Sequence, residues 1–225
     1  KKILSAIKEL QKEIVELLPD YPVSKKIAVI INGDTHEERH TGNVDRAIKA
    51  LEKNGFEEIY VIGGTHEVNA QYNDYYGSLD GIDSLFSDLE QSLQPDSLVF
   101  FYGTGHGAED SSMVIGKDHE KFTKEAMLKK FTMIKEKESR GIFVFDTCYS
   151  GSLPDAIIRS GVEGLALSPA PEGTTAYCHF FAPEFFEGLA DEEGRDLDQS
   201  GKTSLQEVFL SALNFYNTKL GIENA

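Results

Sequence analysis

The stretch Gly141–Ser152, GIFVFDTCYSGS, decides the fold of this chain. Ile142 to Phe145 run without a polar break, the pattern of a strand buried on both faces of a parallel sheet. The run stops at Asp146-Thr147-Cys148-Tyr149-Ser150-Gly151, so a cysteine follows the carboxyl end of a buried strand. Open α/β sheets place their ligands and chemistry at that edge. Small residues and a glycine come next, which lets the backbone turn sharply and leave the thiol exposed. A second apolar run, Ser97 to Tyr102, ends the same way in Gly103-Thr104-Gly105-His106-Gly107. If the two strands are neighbours, His106 and Cys148 face each other across the sheet edge as a nucleophile and its base. Each residue alone reads as a buried structural Cys or a satisfied His. The pair, each closing a buried strand and flanked by glycine, reads as catalytic.

Other runs extend the pattern in both directions. Ile27 to Ile31 is an all-apolar strand that ends in Asn32-Gly33-Asp34, and Ile59 to Ile62 is the next strand. Between them Val44, Ala47, Ile48 and Leu51 line one helix face, closed by Asn54-Gly55. Gly63 to Leu79 is a polar, tyrosine-rich connection carrying Tyr72, Tyr75 and Tyr76, and reads as a cleft wall or a surface loop. Ile82, Leu85, Phe86, Leu89 and Leu93 form a helix before the His106 strand. Residues 111–116 read as a short hairpin and 123–138 as a charged amphipathic helix. Strands are expected near 162–167 and 175–180, followed by helical segments. Alternating strands and helices predict an α/β sandwich around a mostly parallel sheet of about six strands. At the amino terminus Ile3, Ile7, Leu10, Ile14 and Leu17 recur at helical spacing, ended by Pro19 and Pro22. The expected organisation is an N-terminal helix and linker over 1–25, then one domain over 26–225.

Composition narrows the partners. The chain has 225 residues, 22 basic and 38 acidic side chains and a net charge of −16, which repels nucleic acid and anionic membranes. No apolar run is long enough to span a bilayer. Two cysteines argue against a disulfide framework and for a reducing compartment, so a cytoplasmic location is expected, with no signal peptide visible. A Cys148–Cys178 bridge is the alternative use of that pair, and it would consume the nucleophile. Lys at position 1 reads as an excised piece of a longer chain, otherwise a monomer.

Gly-His-Gly after one hydrophobic strand, then Asp-x-Cys-x-Ser-Gly after the next, resembles the caspase-like cysteine peptidases, with metacaspases and legumain-type endopeptidases a better fit than animal caspases. The similarity runs from about Lys26 to about Asn217. It implies a caspase-like α/β/α sandwich and an endopeptidase that hydrolyses peptide or protein substrates through a Cys148/His106 dyad and a thioester. The N–H groups of Gly107 and Cys148 would form the oxyanion hole, a contribution of about 3–4 kcal/mol per donor in comparable sites. The chemistry itself needs no cofactor.

For specificity the resemblance points two ways. Asp146 matches a metacaspase acid that resembles a pocket floor for Arg or Lys before the cut. The Arg39-His40 pair is legumain-like and points to Asn or Asp. The expectation is cleavage after basic residues, with Asn or Asp as the alternative. Without processing after Cys148, where only a short segment containing Arg159 precedes the next strand, a single-chain enzyme is expected.

Asp196 to Glu207 fits a twelve-residue calcium loop, with oxygen ligands from Asp196, Asp198, Ser200, Ser204 and Glu207, and the Lys202 carbonyl. Ser204-x-x-Glu207 is equally a capping box for the final helix, which employs Glu207 without Ca²⁺. Two further readings follow from these features: a catalytically silent module on the same fold, and a calcium-binding regulatory protein.

Overall fold

The computed structural model describes residues 23–63, 72–191, 197 and 203–221. The N-terminal helix expected from Ile3 to Leu17 lies outside them, as do residues 64–71 of the tyrosine-rich connection.

Six strands form one sheet: β1 (Lys25–Asn32), β2 (Glu58–Ile62), β3 (Asn73–Tyr75), β4 (Ser97–Gly105), β7 (Arg140–Thr147) and β8 (Gly164–Leu167). Their order is β3-β2-β1-β4-β7-β8, and every pairing is parallel. This is the α/β sandwich expected from the alternating pattern. A small antiparallel hairpin pairs β5 (Met113–Ile115) with β6 (Glu120–Phe122); only its first strand falls in the expected 111–116 stretch, and the second lies beyond it.

Helices cover both faces. On one side lie α2 (Leu79–Ser92), α3 (Lys124–Glu136) and α4 (Leu153–Ser160); on the other lie α1 (Glu38–Lys53), α5 (Cys178–Ala190) and α6 (Leu205–Lys219). Period-two alternation of the strands divides the core accordingly. Val99, Phe101, Phe143 and Phe145 point to the α2–α4 side, while Phe100, Tyr102 and Val144 point to the α1, α5 and α6 side. Three of these helices, α2, α3 and α6, start where a side chain accepts a free N–H of the first turn: Ser78 from Gly81, Thr123 from Ala126 and Ser204 from Glu207.

The strand expected near 175–180 is absent. Residues 174–177 are irregular, and from Cys178 the chain is helical. Its aromatic residues favour a strand locally, but Phe181, Phe185 and Phe186 fall at helical spacing and are buried, with Phe186 against Phe100 and Tyr102. Burying three phenyl rings outweighs a propensity difference of less than about 1 kcal/mol per residue. Among the described residues no helix is long and apolar enough to cross a membrane.

Phe131 of α3 holds the β4–β7 seam from the α2–α4 side. It is fully buried, with ring centroids 4.9 Å from Phe101 and 4.7 Å from Phe143. Replacing it with alanine should cost about 3–5 kcal/mol of unfolding free energy, read as a lowered urea midpoint. A loss below about 1 kcal/mol would show that the seam does not depend on this ring.

Candidate active site

Pairing of β4 with β7 brings Gly105 opposite Thr147, so His106 and Cys148 leave neighbouring strands one residue further on. They emerge beside the point where strand order reverses, since the chain winds from β1 towards β3 and from β4 towards β8. That crevice is where doubly wound sheets hold ligands. The sequence-derived pair is therefore brought to one place. Gly107 fits it closely, because a Cβ there would stand 1.9 Å from the Cys148 carbonyl oxygen. The resemblance implied a role for the Gly107 N–H in the oxyanion hole; the structure adds a close backbone contact with the cysteine itself.

Local contacts fix both loops. The Val114 N–H donates to the His106 carbonyl (2.9 Å), tying the histidine loop to the β5–β6 hairpin. Tyr149 takes a left-handed conformation (φ 60°); its N–H donates to the Thr174 carbonyl (2.7 Å), and its carbonyl accepts from the Ser111 hydroxyl (2.8 Å). Gly151 passes so close to Pro171 and Glu172 that a Cβ would lie 2.2 Å from the Glu172 nitrogen. Cys148 is a free thiol, available as a nucleophile, and it points to the Ala176 carbonyl at 3.6 Å.

The β1 end supplies an acidic loop that sequence reasoning left unassigned. His106 Nε2 lies 3.2 Å from Asp34 Oδ2 and 3.5 Å from Glu37 Oε1. Asp34 is held by the Asn32 side chain, which accepts its N–H, and it accepts the His36 N–H in turn. Partial burial pushes the Asp34 carboxyl up, but the His36 N–H and the His106 and His40 imidazoles hold it below the usual range. Glu37 precedes α1 without capping it, and its carboxylate instead meets His106, Arg39 and His40. The available signal was positional: acids after the strand next to the histidine strand.

Arg39 and His40 occupy the first turn of α1. Arg39 is half-exposed and pairs with Glu37. His40 is buried, with Nδ1 2.9 Å from the Thr104 hydroxyl and its ring 6.0 Å from that of His106. Burial, reinforced by the Arg39 charge and only partly opposed by Glu37, lowers its pKa to about 4, so it is neutral at neutral pH.

Asp146 is 0% exposed. Its Oδ2 accepts from the Tyr102 hydroxyl at 3.3 Å, and Oδ1 has no hydrogen-bond partner among the described residues. Burial raises its pKa to about 7, against the lowering influence of Tyr102 and Arg39. Tyr216 of α6 is also buried; its hydroxyl accepts the Tyr177 N–H at 3.1 Å. Burial raises the Tyr216 pKa, opposed by that N–H and aided by charge on Asp146 and Cys148. Tyr102 and Tyr216 were not singled out in the sequence; Tyr102 is buried inside its strand run, and Tyr216 lies 68 positions beyond Cys148.

The calcium-loop residues Asp196, Asp198, Ser200 and Lys202 lie outside the described residues. Ser204 and Glu207 form the capping box: the Ser204 hydroxyl accepts the Glu207 N–H (3.3 Å), and Glu207 accepts the Ser204 N–H (2.7 Å). Glu207 also accepts the Leu197 N–H at 2.8 Å, so both of its oxygens carry hydrogen bonds. Arg159 is an exposed residue of α4 paired with Asp155 (2.8 Å).

The model of the Peptidase C13 family matches residues 65–212. No curated protein matches the chain.

The state of Asp146 is open to direct measurement. An acid whose folded pKa is raised loses relative stability as pH climbs from its unfolded value towards the folded one. Between pH 4 and 7 the native state keeps a proton that the unfolded chain releases. The stability difference between wild type and Asp146→Asn should therefore move in favour of the variant across that window, by up to about 1.4 kcal/mol per pH unit. It should flatten above pH 7. Urea denaturation at stepped pH reads it, and a constant difference would mean that Asp146 is ionised throughout.

Proposed function

We propose that this chain, which belongs to the Peptidase C13 family and is a cysteine-type peptidase, cuts peptide chains after asparagine through a thioester on Cys148, with His106 as its acid–base partner. The observation that carries this is the β4–β7 register, which sets Gly107 against the Cys148 backbone and brings His106 and Cys148 out of neighbouring strands one residue past their last pair. Asp34 and Glu37 face Nε2 of His106. Nδ1 is then the nitrogen that takes the thiol proton as sulfur attacks the scissile carbonyl. The tetrahedral oxyanion draws on the N–H groups of Gly107 and Cys148. His106 gives the proton to the departing amine, and the carbonyl carbon stays bonded to sulfur. Water then attacks the thioester; His106 takes a proton from it and returns one to the leaving sulfur, releasing the acid product.

Two features support asparagine over a basic residue. The pocket acid Asp146 is buried with its pKa near 7, so much of it is uncharged at neutral pH. Arg39, whose charge reaches Asp146, adds a guanidinium that repels an incoming Arg or Lys. The Arg39 guanidinium offers donors to a carboxamide oxygen, and the buried, largely uncharged Asp146 sets no full negative charge behind it to favour a cation.

A fluorogenic peptide series varied only before the scissile bond tests this, with wild type beside Cys148→Ala. Asparagine should give kcat/KM at least tenfold above arginine, and Cys148→Ala should abolish turnover of both. Preference for arginine or lysine would assign the pocket to an ionised Asp146 and sink the asparagine reading. Turnover that survives Cys148→Ala would sink the thioester mechanism.

A further inference from the structure

We propose that Asp34, Glu37 and His106 form a binding site for a divalent transition metal of the zinc type, and that a metal held there arrests the peptidase. The arrest rests on the catalytic reading of His106; the metal site stands on geometry alone.

One ligand atom from each of the three residues lies within 4.8 Å of the other two. The separations from Nε2, 3.2 Å to Asp34 Oδ2 and 3.5 Å to Glu37 Oε1, bracket what a tetrahedral ion requires. With metal–ligand bonds of about 2.0–2.1 Å, tetrahedral ligands stand about 3.3 Å apart. An ion could enter with little movement of the side chains. Two carboxylates and one imidazole leave a fourth position open, the arrangement of an accessible rather than a purely structural zinc site. An imidazole in the set favours a borderline metal over Ca²⁺, which takes six or more oxygens.

The surroundings hold these groups as ligands are held. Asp34 is tied through Asn32 and the His36 N–H. Glu37 Oε2 meets Arg39 Nε and lies 3.6 Å from His40 Nε2, which leaves Oε1 directed at His106. His40 is itself fixed by Thr104 (2.9 Å). Groups that orient a ligand from behind are a regular part of metal sites. Arg39 offsets one of the two carboxylate charges, and the net −16 of the chain raises the local concentration of cations.

The arrest follows from proton bookkeeping at one ring. During acyl transfer His106 must hold protons on both nitrogens between taking one from the thiol and giving one to the amine. A metal on Nε2 excludes that doubly protonated state. It also takes the two carboxylates away from their contact with the ring.

Binding of Zn²⁺ to the full chain bearing Cys148→Ala, followed by calorimetry, tests the site without turnover. One ion per chain is expected, weakened at least tenfold by His106→Ala and by the near-isosteric Asp34→Asn and Glu37→Gln. Far-UV circular dichroism and melting confirm that each variant is folded. Binding that survives His106→Ala unchanged would overturn the site. So would binding seen in wild type and lost in Cys148→Ala, which would place the metal on the thiolate. For the arrest, Zn²⁺ should inhibit wild-type peptide cleavage reversibly by chelator. The half-inhibiting concentration should rise at least tenfold in Glu37→Gln, scaled to that variant's own basal rate. Full activity with the ion bound would overturn the arrest. Binding without any Cys148-dependent turnover would uphold the site and overturn the peptidase reading.

Discussion

The parallel pairing of β4 with β7 is the constraint on which the site depends. Eight residue pairs, Leu98↔Arg140 to Gly105↔Thr147, set the register. Side chains alternate with a period of two, so a slip of one residue would turn every one of them to the opposite face. On the α2–α4 side Phe101, Phe143 and Phe145 interlock with Phe131, and a slipped register would scatter that cluster. The aromatic packing therefore enforces a relation between backbones one residue past the strand ends. Gly107 then meets the Cys148 carbonyl, at a distance that no side chain at position 107 would permit.

The same alternation explains how two residues two positions apart take such different environments. Asp146 is the last but one residue of β7 and points into the layer under Tyr102. Cys148 has left the strand and sits at the edge, partly exposed. Burying a carboxyl group without a full set of partners is costly in its charged form, and protonation is the cheaper response. Arg39 reaches this acid through its field while its guanidinium pairs with Glu37, which in turn faces His106. Charges at the start of α1 thus link Asp146 to His106, and a change in one would be felt at the other.

Much of this architecture was legible in the sequence, and the misses have physical causes. Continuous apolar runs such as Ile27–Ile31 and Ile142–Phe145 mark strands buried on both faces, and they lie in the parallel sheet that such runs predict. Cys148 and His106 announced themselves by following two of those runs. The segment after Thr175 did not, because aromatic residues suit a strand and a packed helix alike, and only the waiting surface of Phe100 and Tyr102 decides between them. Asp34 and Glu37 carry no motif. Their importance comes from strand order, since β1 lies next to β4 and not in sequence proximity to His106. Tyr216 comes from a helix far along the chain and reaches the site by packing.

The acidic loop also gives the histidine two incompatible uses. An imidazole flanked by two carboxylates is oriented by them when Nε2 carries a proton, because that N–H has acceptors at 3.2 and 3.5 Å. The same oxygens, at nearly the same spacing, are ligands once the proton is replaced by a metal ion. A single carboxylate would suffice to orient the ring. The second adds little to that task, but it completes a set of donors around one point in space. Proton and metal then compete for one nitrogen, and the balance between them depends on free metal concentration. Catalytic competence would then be governed at His106, through the same contacts that position its ring.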